Sequence, residues 1–325
     1  MYDTIRVKLE NLQTGTDLEK AELENSPVVN HFVDLLVENS SGWLFVKKWI
    51  EQKERTPLLV VNGNFNTTNM RRNLLDLVNT HYLRRLAFDF LYWINGLDEN
   101  QANQMNNFLL ELLHNELLIS KKEVLCYCPS CGLVNLTLLN DLDSFKIETC
   151  QRCKGIRLRQ ILSSTLQDEI KRSIWKGQLL EIYTNKILKK DGVKFIGGHA
   201  NGYECFTSIR YNTPHGEGEV DCIGVVRNTI IFIETKMTTL NLTDFEKQNE
   251  VFDGIFEKLG KEIHNLNKLK VFIAFRIDKN IDNANCHDCH FINLYDERNI
   301  TKSILESVLR ASSQETIDEY LKSIK

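Results

Sequence analysis

The chain has 325 residues, of which 42% are hydrophobic and 26% charged, and this composition excludes a fibrous repeat or a largely disordered chain. Its 40 Lys and Arg against 44 Asp and Glu give a net charge of −4, which argues against a basic surface spread over the whole chain. No apolar run is long enough to cross a membrane and no secretory signal is visible, so we expect a cytoplasmic protein.

Residues 1–120 predict a mostly helical N-terminal domain. A strand-like segment at 5–12 comes first, and another strand is predicted at 57–61. Apolar residues recur at helical spacing in four stretches, at about 28–39, 43–52, 69–95 and 101–118. Asn95 and Gly96 are typical of a helix end, and Asp98 of the start of the next helix. One hypothesis for this domain is a winged-helix unit. Another is a sensor or targeting role, in which the domain would bind a regulatory ligand or protein.

Four cysteines have the spacing of a structural zinc site. Cys128 and Cys131 form one Cys-x-x-Cys turn, and Cys150 and Cys153 form another after eighteen intervening residues. Two such turns direct four thiolates at one ion, and the stretch between them is long enough for a β-hairpin. The segment 121–160 therefore resembles a zinc ribbon. Because four sulfurs complete a tetrahedral shell, this zinc would be structural and catalysis would lie elsewhere.

The other five cysteines are not needed for disulfides, since a cytoplasmic protein of this size uses cysteines for metals first. Cys205 and Cys222 lie in apolar strand patterns and are predicted to be core residues. The run Cys286-His287-Asp288-Cys289-His290 contains metal-ligand residue types, but no second ligand pair stands at a recognisable spacing. We predict a turn that leads into a strand there, and we keep metal binding by its cysteines and histidines as the alternative.

Residues 161–325 alternate between helices and strands, which predicts an α/β domain. The first helix is predicted near 165–190, and a later one from Thr243 to about Lys261. The predicted strands are 193–196, 204–211, 219–226, 229–236, 270–277 and 291–296.

Two acidic residues are predicted to face each other in this domain. A two-residue turn at 227–228 sets a register in which Asp221 lies directly across from Glu234. Facing carboxylates repel each other unless a cation lies between them. Period-2 alternation puts Lys236 on the face of Glu234 and turns Thr235 away. Hard oxygen ligands beside a lysine suit Mg²⁺ or Mn²⁺, which would activate water for attack on a phosphoryl group.

The two neighbouring helices add further candidates. Glu181 follows Gly177 by one helical turn, and the glycine leaves room for a metal or a phosphate strand. Gln248 falls inside the apolar stripe of the later helix, where a polar residue is unexpected without a role.

These residues, in this order, resemble the PD-(D/E)xK nuclease superfamily. The motif consists of Val220-Asp221, twelve intervening residues and then Glu234-Thr235-Lys236. Within the superfamily, it most resembles the motif of Mrr-like restriction endonucleases and Holliday-junction resolvases. The resemblance covers about 165–295. It implies a restriction-endonuclease-like α/β core, with a mixed sheet flanked by helices, and metal-dependent hydrolysis of phosphodiester bonds. Val220 stands where the motif has proline, a position that does not touch the metal.

The resemblance also implies a role for each residue of the site. Glu181, Asp221 and Glu234 would bind the catalytic Mg²⁺ or Mn²⁺. Lys236 would be the catalytic lysine, and Gln248 would support the site.

A local excess of positive charge predicts a nucleic-acid partner. Residues 151–200 carry 11 basic and 4 acidic side chains, which the net charge of the whole chain hides. A solvated helix face is the alternative interpretation of such a run. The candidate contacts with nucleic acid are Arg152, Lys154, Arg157, Arg159, Lys171, Arg172 and Lys176.

The leading hypothesis is a Mg²⁺- or Mn²⁺-dependent endodeoxyribonuclease. DNA is the better candidate than RNA, and a homodimer would explain a paired cut in a duplex. A role in restriction or antiviral defence follows by family analogy alone. The alternatives are a non-cleaving nucleic-acid-binding adaptor with a silent nuclease fold, and an RNA-cleaving or effector-gated nuclease.

Overall fold

The computed structural model describes residues 2–16, 18–39, 41–51, 58–61, 95–128, 130–131, 134–138, 149–154, 159–190, 194–195, 209–214, 216–226, 229–263, 266–281, 288–297 and 299–311. The chain divides into two compact units. The first unit is formed by residues 1–40 and 169–325, and the second unit by residues 41–168. Residues 1–40, which the sequence assigns to an N-terminal helical domain, thus group with the C-terminal half. No helix within the described ranges is long and apolar enough to cross a membrane.

The helices and strands are numbered in chain order. The helices are α1 (Tyr2–Leu12), α2 (Leu18–Glu24), α3 (Pro27–Glu38), α4 (Gly42–Glu51), α5 (Glu99–His114), α6 (Asp168–Trp175), α7 (Gln178–Lys190), α8 (Leu242–Leu259) and α9 (Ile300–Ala311). The strands are β1 (Gln13–Thr16), β2 (Leu58–Val61), β3 (Leu118–Tyr127), β4 (Val134–Leu138), β5 (Arg159–Leu166), β6 (Lys194–Phe195), β7 (Ile209–Thr213), β8 (Gly216–Val220), β9 (Cys222–Val226), β10 (Thr229–Leu240), β11 (Asn267–Ile277) and β12 (Cys289–Asn293).

The second unit combines helices α4 and α5 with an antiparallel sheet in the order β2-β5-β3-β4. The predicted helix start at Asp98 is confirmed, because its side chain accepts from the amide of Gln101 at 2.8 Å in a capping box. Phe45 of α4 packs on Phe108 of α5, with ring centroids 5.8 Å apart. The predicted strand at 57–61 is confirmed as β2, while the helix predicted at 69–95 lies almost wholly outside the described residues.

The predicted strand at 5–12 is wrong, since these residues belong to helix α1. Ile5 and Leu9 are fully buried, whereas Val7 is 53% exposed. A strand would have placed all three on one face, but a helix places only residues four apart together. Strand β1 follows directly and pairs with β7, which also pairs with β8. This small sheet joins the N-terminal residues to the C-terminal half.

The helix predicted near 165–190 is two helices, α6 and α7. Gly177 breaks it with a φ of +81°, in the left-handed region that glycine adopts most easily. The amide of Gly177 still bonds to the carbonyl of Ile174, which closes the last turn of α6. Glu181 consequently lies in the first turn of α7 and not in the middle of a long helix.

A mixed five-stranded sheet forms the centre of the first unit, in the order β12-β11-β10-β9-β6. Strands β10, β11 and β12 are parallel, and β9 runs antiparallel to β10. Val226 pairs with Thr229, and Cys222 pairs with Ile233. This is the register that the 227–228 turn predicts, although that turn lies outside the described residues.

Helix α8 covers this sheet with aromatic side chains. The Phe252 ring lies 5.3 Å from that of Phe232 in β10 and 5.6 Å from that of Phe272 in β11. Two further helices of this unit, α7 and α9, are joined by a hydrogen bond between the hydroxyls of Tyr183 and Thr301 at 2.5 Å. The predicted α/β architecture is therefore confirmed as far as a mixed sheet with helices, while the restriction-endonuclease-like core stays a prediction.

The outcome for the remaining cysteines is mixed. Cys222 is buried in β9, as predicted for a core residue, while Cys205 lies outside the described residues. Strand β12 begins at Cys289 after a turn at Asp288, which agrees with the predicted turn and strand. Cys289 is disulfide-bonded, so the expectation that no cysteine is used in a disulfide is wrong. Cys286 and His287 lie outside the described residues.

Candidate functional site

The four cysteines of the second unit converge on one point. Their sulfur atoms all lie within 4.8 Å of one another. The sulfurs of Cys131 and Cys150 are 3.7 Å apart, which is close to the edge of about 3.8 Å expected for a tetrahedron with zinc–sulfur bonds of about 2.3 Å. The cluster can therefore bind a metal ion such as zinc.

The local backbone favours thiolates in this cluster. The amide of Cys153 donates to the sulfur of Cys150 at 3.4 Å, and this contact is the main reason why the pKa of Cys150 is lowered to about 7. Burial has the opposite effect on Cys128, whose pKa is raised. A bound cation would stabilise both thiolates, since metal ligation requires the deprotonated sulfur.

We expect the purified protein to carry about one zinc ion per chain and to lose it on chelation. Cys128→Ser should abolish zinc binding, because one of four sulfur ligands is removed. Cys126→Ser is the matched control, since Cys126 is also buried and lies two residues earlier in β3. Elemental analysis of the wild type, Cys128→Ser and Cys126→Ser measures the zinc content per chain. Equal zinc content in wild type and Cys128→Ser would contradict the assignment.

The predicted acidic residues of the first unit line one cleft of about 270 Å³, here called the acid cleft. Glu181 comes from the first turn of α7, Asp221 from the bend between β8 and β9, and Glu234 from β10. Glu181 and Asp221 are almost completely buried, and Glu234 is partly exposed. Lys20, Trp175, Lys176, Gly177, Glu219, Thr235, Lys236, Met237 and Thr238 complete the lining.

The Asp221 carboxylate is held by the strand that carries Glu234. Its Oδ2 accepts from the Thr235 amide at 2.6 Å and from the Thr235 hydroxyl at 3.0 Å. The prediction that Thr235 turns away from the acids is therefore wrong. Asp221 has left the strand geometry at the bend, so its carboxylate reaches the Thr235 side chain as well as the backbone.

Glu181 owes its position to the break before α7. Gln178, which begins that helix, donates from Nε2 to Glu181 Oε2 at 2.8 Å. Gly177 lines the acid cleft, but a Cβ built on it would meet nothing within 4 Å. The left-handed backbone therefore favours glycine here, and the room that the glycine would leave for a metal or a phosphate strand stays a prediction.

Two charged residues of the acid cleft, Lys20 and Glu219, were not predicted from the sequence. Lys20 of α2 extends its ammonium to 3.6 Å from Glu181 Oε1 and to 2.5 Å from Glu219 Oε1. Glu219 precedes Asp221 by two residues in β8, and this spacing is a signal that could have identified it. Nothing in the pattern around Lys20 points to a distant acid cluster.

The electrostatics of the acid cleft favour a bound cation. Burial raises the pKa of Asp221 to about 6, although Lys20 and the bonds from Thr235 work against this shift. Burial, followed by repulsion from Asp221, also raises the pKa of Glu181 and of Glu234 well above the ordinary value. Burial alone would lower the pKa of Lys20, but the carboxylates of Glu181, Asp221 and Glu219 raise it overall.

The carboxylates of the acid cleft do not meet at one point in this structure. Among the residues that the structure describes, the four cysteines are the only group of three or more Cys, His, Asp or Glu whose ligand atoms lie within 4.8 Å of one another. The Lys20 ammonium lies between Glu181 and Glu219. Mutual repulsion keeps such carboxylates apart unless a cation binds them together.

Lys236 and Gln248 line a second cleft of about 420 Å³, which shares Glu219, Glu234 and Lys236 with the acid cleft. The Lys236 ammonium bonds to Asp244 near the start of α8. Gln248 donates from Nε2 to the Glu219 carbonyl at 2.7 Å, so it contacts the strand beside Asp221 and not the acid itself. Arg210 and Lys247 add two further positive charges to the lining.

A glycine allows this contact between α8 and β8. A Cβ on Gly218 would lie 2.3 Å from the side chain of Val251 in α8. Because glycine has no Cβ, the strand approaches the helix closely enough for Gln248 to reach the Glu219 carbonyl.

The predicted nucleic-acid contacts lie on both compact units. Arg152 and Lys154 are exposed in the second unit, and Arg172 is exposed on α6 of the first. Lys176, also in the first unit, forms an ion pair with Glu19. Lys171 is partly exposed on α6, Arg159 begins β5, and Arg157 lies outside the described residues. A shared basic surface therefore stays a prediction.

Comparisons with known proteins give little guidance. The sequence matches no profile of a known family and no curated protein. Among solved structures, protein VC1899 from Vibrio cholerae is 16% identical with a TM-score of 0.34, over 78% of this chain and 60% of that one. A repair endonuclease from Pyrococcus abyssi is 14% identical with a TM-score of 0.24, over 57% of this chain and 92% of that one. These scores are too low to support an argument about fold or function.

Proposed function

We propose that the chain is a divalent-metal-dependent nuclease of the PD-(D/E)xK type that hydrolyses phosphodiester bonds, with DNA as its substrate. The observation that carries the proposal is the acid cleft. Glu181 and Asp221 are buried and share one cleft with Glu234, although their charges repel one another. The three side chains come from α7, from the bend after β8 and from the middle of β10. Buried acids that repel one another need positive charge beside them, and a divalent cation would supply more of it than the single Lys20 ammonium does.

The donor set fits Mg²⁺ or Mn²⁺, which prefer hard carboxylate oxygens and keep part of their water shell. Glu181, Asp221 and Glu234 would hold the ion. When bound, it would polarise a phosphoryl oxygen and lower the pKa of a water molecule. The hydrogen bonds from Thr235 and Gln178 fix two of these carboxylates, so the ligands are oriented before the ion arrives.

The second cleft supplies a path for the substrate. Lys236 lies where the two clefts meet, so a phosphodiester in the larger one would lie beside both Glu234 and this ammonium. Arg210 and Lys247 would neutralise neighbouring phosphates. Gln248 would act as a positioning residue, because it ties α8 to the strand that leads to Asp221.

The proposal is tested by incubating the protein with supercoiled plasmid in Mn²⁺, in Mg²⁺ and in EDTA. We expect nicking only with metal, and a loss of about a hundredfold or more in Lys236→Ala, because a positive charge at the reacting phosphate is removed. Lys302→Ala is the matched control, since Lys302 is exposed on α9 and pairs within its own helix with Glu306. Wild-type nicking by Lys236→Ala would refute the proposal.

Two alternatives are separated by the same assay. A silent nuclease fold that only binds nucleic acid would show salt-dependent binding without metal-dependent cleavage. Cleavage of an RNA oligonucleotide in preference to DNA strands of the same sequence would keep the nuclease and change the substrate. The intact set of repelling acids favours an active site over a silent one.

A further inference from the structure

Lys20 is a cation that the chain itself supplies to the acid cleft. Its ammonium is within 3.6 Å of the buried Glu181 carboxylate and bonds to Glu219 at 2.5 Å. It comes from helix α2, far from the nuclease motif in sequence. In the proposed site it lies among the carboxylates that would bind the metal.

We propose that Lys20 is an internal competitor of the catalytic metal ion, which occupies the acid cleft until the ion displaces it. This inference rests on the proposed function. A dication ligated by Glu181 would lie only a few ångströms from the ammonium in its present position, and two positive charges at that distance repel strongly in a buried site. The ion and the ammonium therefore exclude each other.

Helix α2 packs into the first unit through its buried Leu23, so we expect displacement to be a movement of the Lys20 side chain. Glu19, its neighbour in α2, forms an ion pair with Lys176 at the rim of the acid cleft. Asp34 of α3 pairs with Lys186 of α7 at 2.6 Å. A lysine has a long flexible stem and 19% of this side chain is exposed, so the ammonium can rotate toward solvent while α2 stays in place.

One ammonium leaves the acid cleft with excess negative charge. Four carboxylates and three lysines line it. Because Lys176 pairs with Glu19 and Lys236 pairs with Asp244, Lys20 is the lysine that pairs with the acids of the cleft, Glu181 and Glu219. A divalent ion offers twice the charge, so it can replace Lys20 once its concentration is high enough. The competition would set the concentration of metal at which the nuclease becomes active.

The test compares Mn²⁺ binding by wild type, Lys20→Met and Lys20→Arg, with titration calorimetry and the Mn²⁺-dependent rise in Tm as readouts. We expect Lys20→Met to bind Mn²⁺ about tenfold more tightly, and Lys20→Arg to bind it no more tightly than wild type, because the arginine keeps the charge. Lys186→Met is the matched control, since it removes a lysine that ties the N-terminal segment to α7 away from the acids.

A second measurement needs no variant. Amine-reactive labelling with mass spectrometry should find Lys20 more reactive when Mn²⁺ is added, with Lys186 unchanged. Unchanged Lys20 labelling, or equal Mn²⁺ affinity in Lys20→Met and wild type while the wild type cleaves, would overturn the inference and leave the proposed function standing. A wild type and a Lys20→Met that both fail to bind Mn²⁺ and to cleave would overturn both.

Discussion

Replacing Asp221 with asparagine is expected to lower the rate of metal-dependent cleavage by about a thousandfold and to leave the folded structure intact. The amide oxygen of asparagine can still accept the bonds from the Thr235 amide and hydroxyl, which Asp221 now accepts at 2.6 and 3.0 Å. What disappears is one negative charge, and with it one ligand of the proposed metal.

The same substitution should leave the Tm without metal unchanged or raised. Burial and the neighbouring Glu219 raise the pKa of Asp221 to about 6, so above that pH its ionised form disfavours the folded state. Neutralising it relieves this cost, while the rise in Tm on adding Mn²⁺ should be lost. Catalytic sites commonly combine high activity with a local loss of stability in this way.

Asp278→Asn is the matched control for this experiment. Asp278 also accepts a backbone amide, from Asn280 at 3.0 Å, but it lines neither cleft. It should cleave like wild type. Full activity of Asp221→Asn would remove the metal site from the mechanism, and lost activity with a lowered Tm would indicate that Asp221 acts in folding.

The register of β9 against β10 could be predicted because it depends on local rules. A two-residue turn fixes the register of an antiparallel pair, and period-2 alternation then decides which side chains share a face. The pairing of β9 with β10 follows that register over all five pairs. The limit of the rule lies at Asp221, which leaves the strand at a bend and contacts Thr235 as well.

Lys20 could not be predicted because its position depends on a long-range pairing. Strand β1 pairs with β7, and this pairing brings the N-terminal helices into the first unit. Hydrophobic periodicity reports which face of a helix is buried, but not what buries it. The break at Gly177 was missed for a related reason, since a glycine inside a helical pattern is compatible with either a continuous helix or an end.

The largest expected effect on stability is that of Asp253→Ala, which we expect to lower the free energy of unfolding by about 3 kcal/mol. Asp253 lies in α8 and pairs with Lys270 of β11 at 2.8 Å. Only 2% of the Lys270 side chain is exposed, and burial lowers the pKa of its ammonium. Removing the carboxylate leaves a buried charge without its main counter-ion, which costs far more than a surface ion pair contributes.

Asp34→Ala is the control for Asp253→Ala. Asp34 also pairs a helix with a lysine at 2.6 Å, but 54% of its side chain is exposed, so the expected loss is at most about 1 kcal/mol. Urea denaturation of the full chain measures both values. A loss below about 1 kcal/mol for Asp253→Ala would mean that the remaining partners of Lys270, Asn249 at 2.6 Å and Asp288 at 3.9 Å, are sufficient for its charge.

The double variant Asp253→Leu with Lys270→Met separates the cost of an unpaired charge from the cost of lost packing. Both groups become apolar, so neither leaves an unpaired ion buried and most of the lost stability should return. Recovery would show that the Asp253–Lys270 pair is needed because Lys270 is charged, and not because the sheet and α8 require an ion pair. The acid cleft differs in this respect, since neutralising Asp221 there is expected to cost activity and no stability.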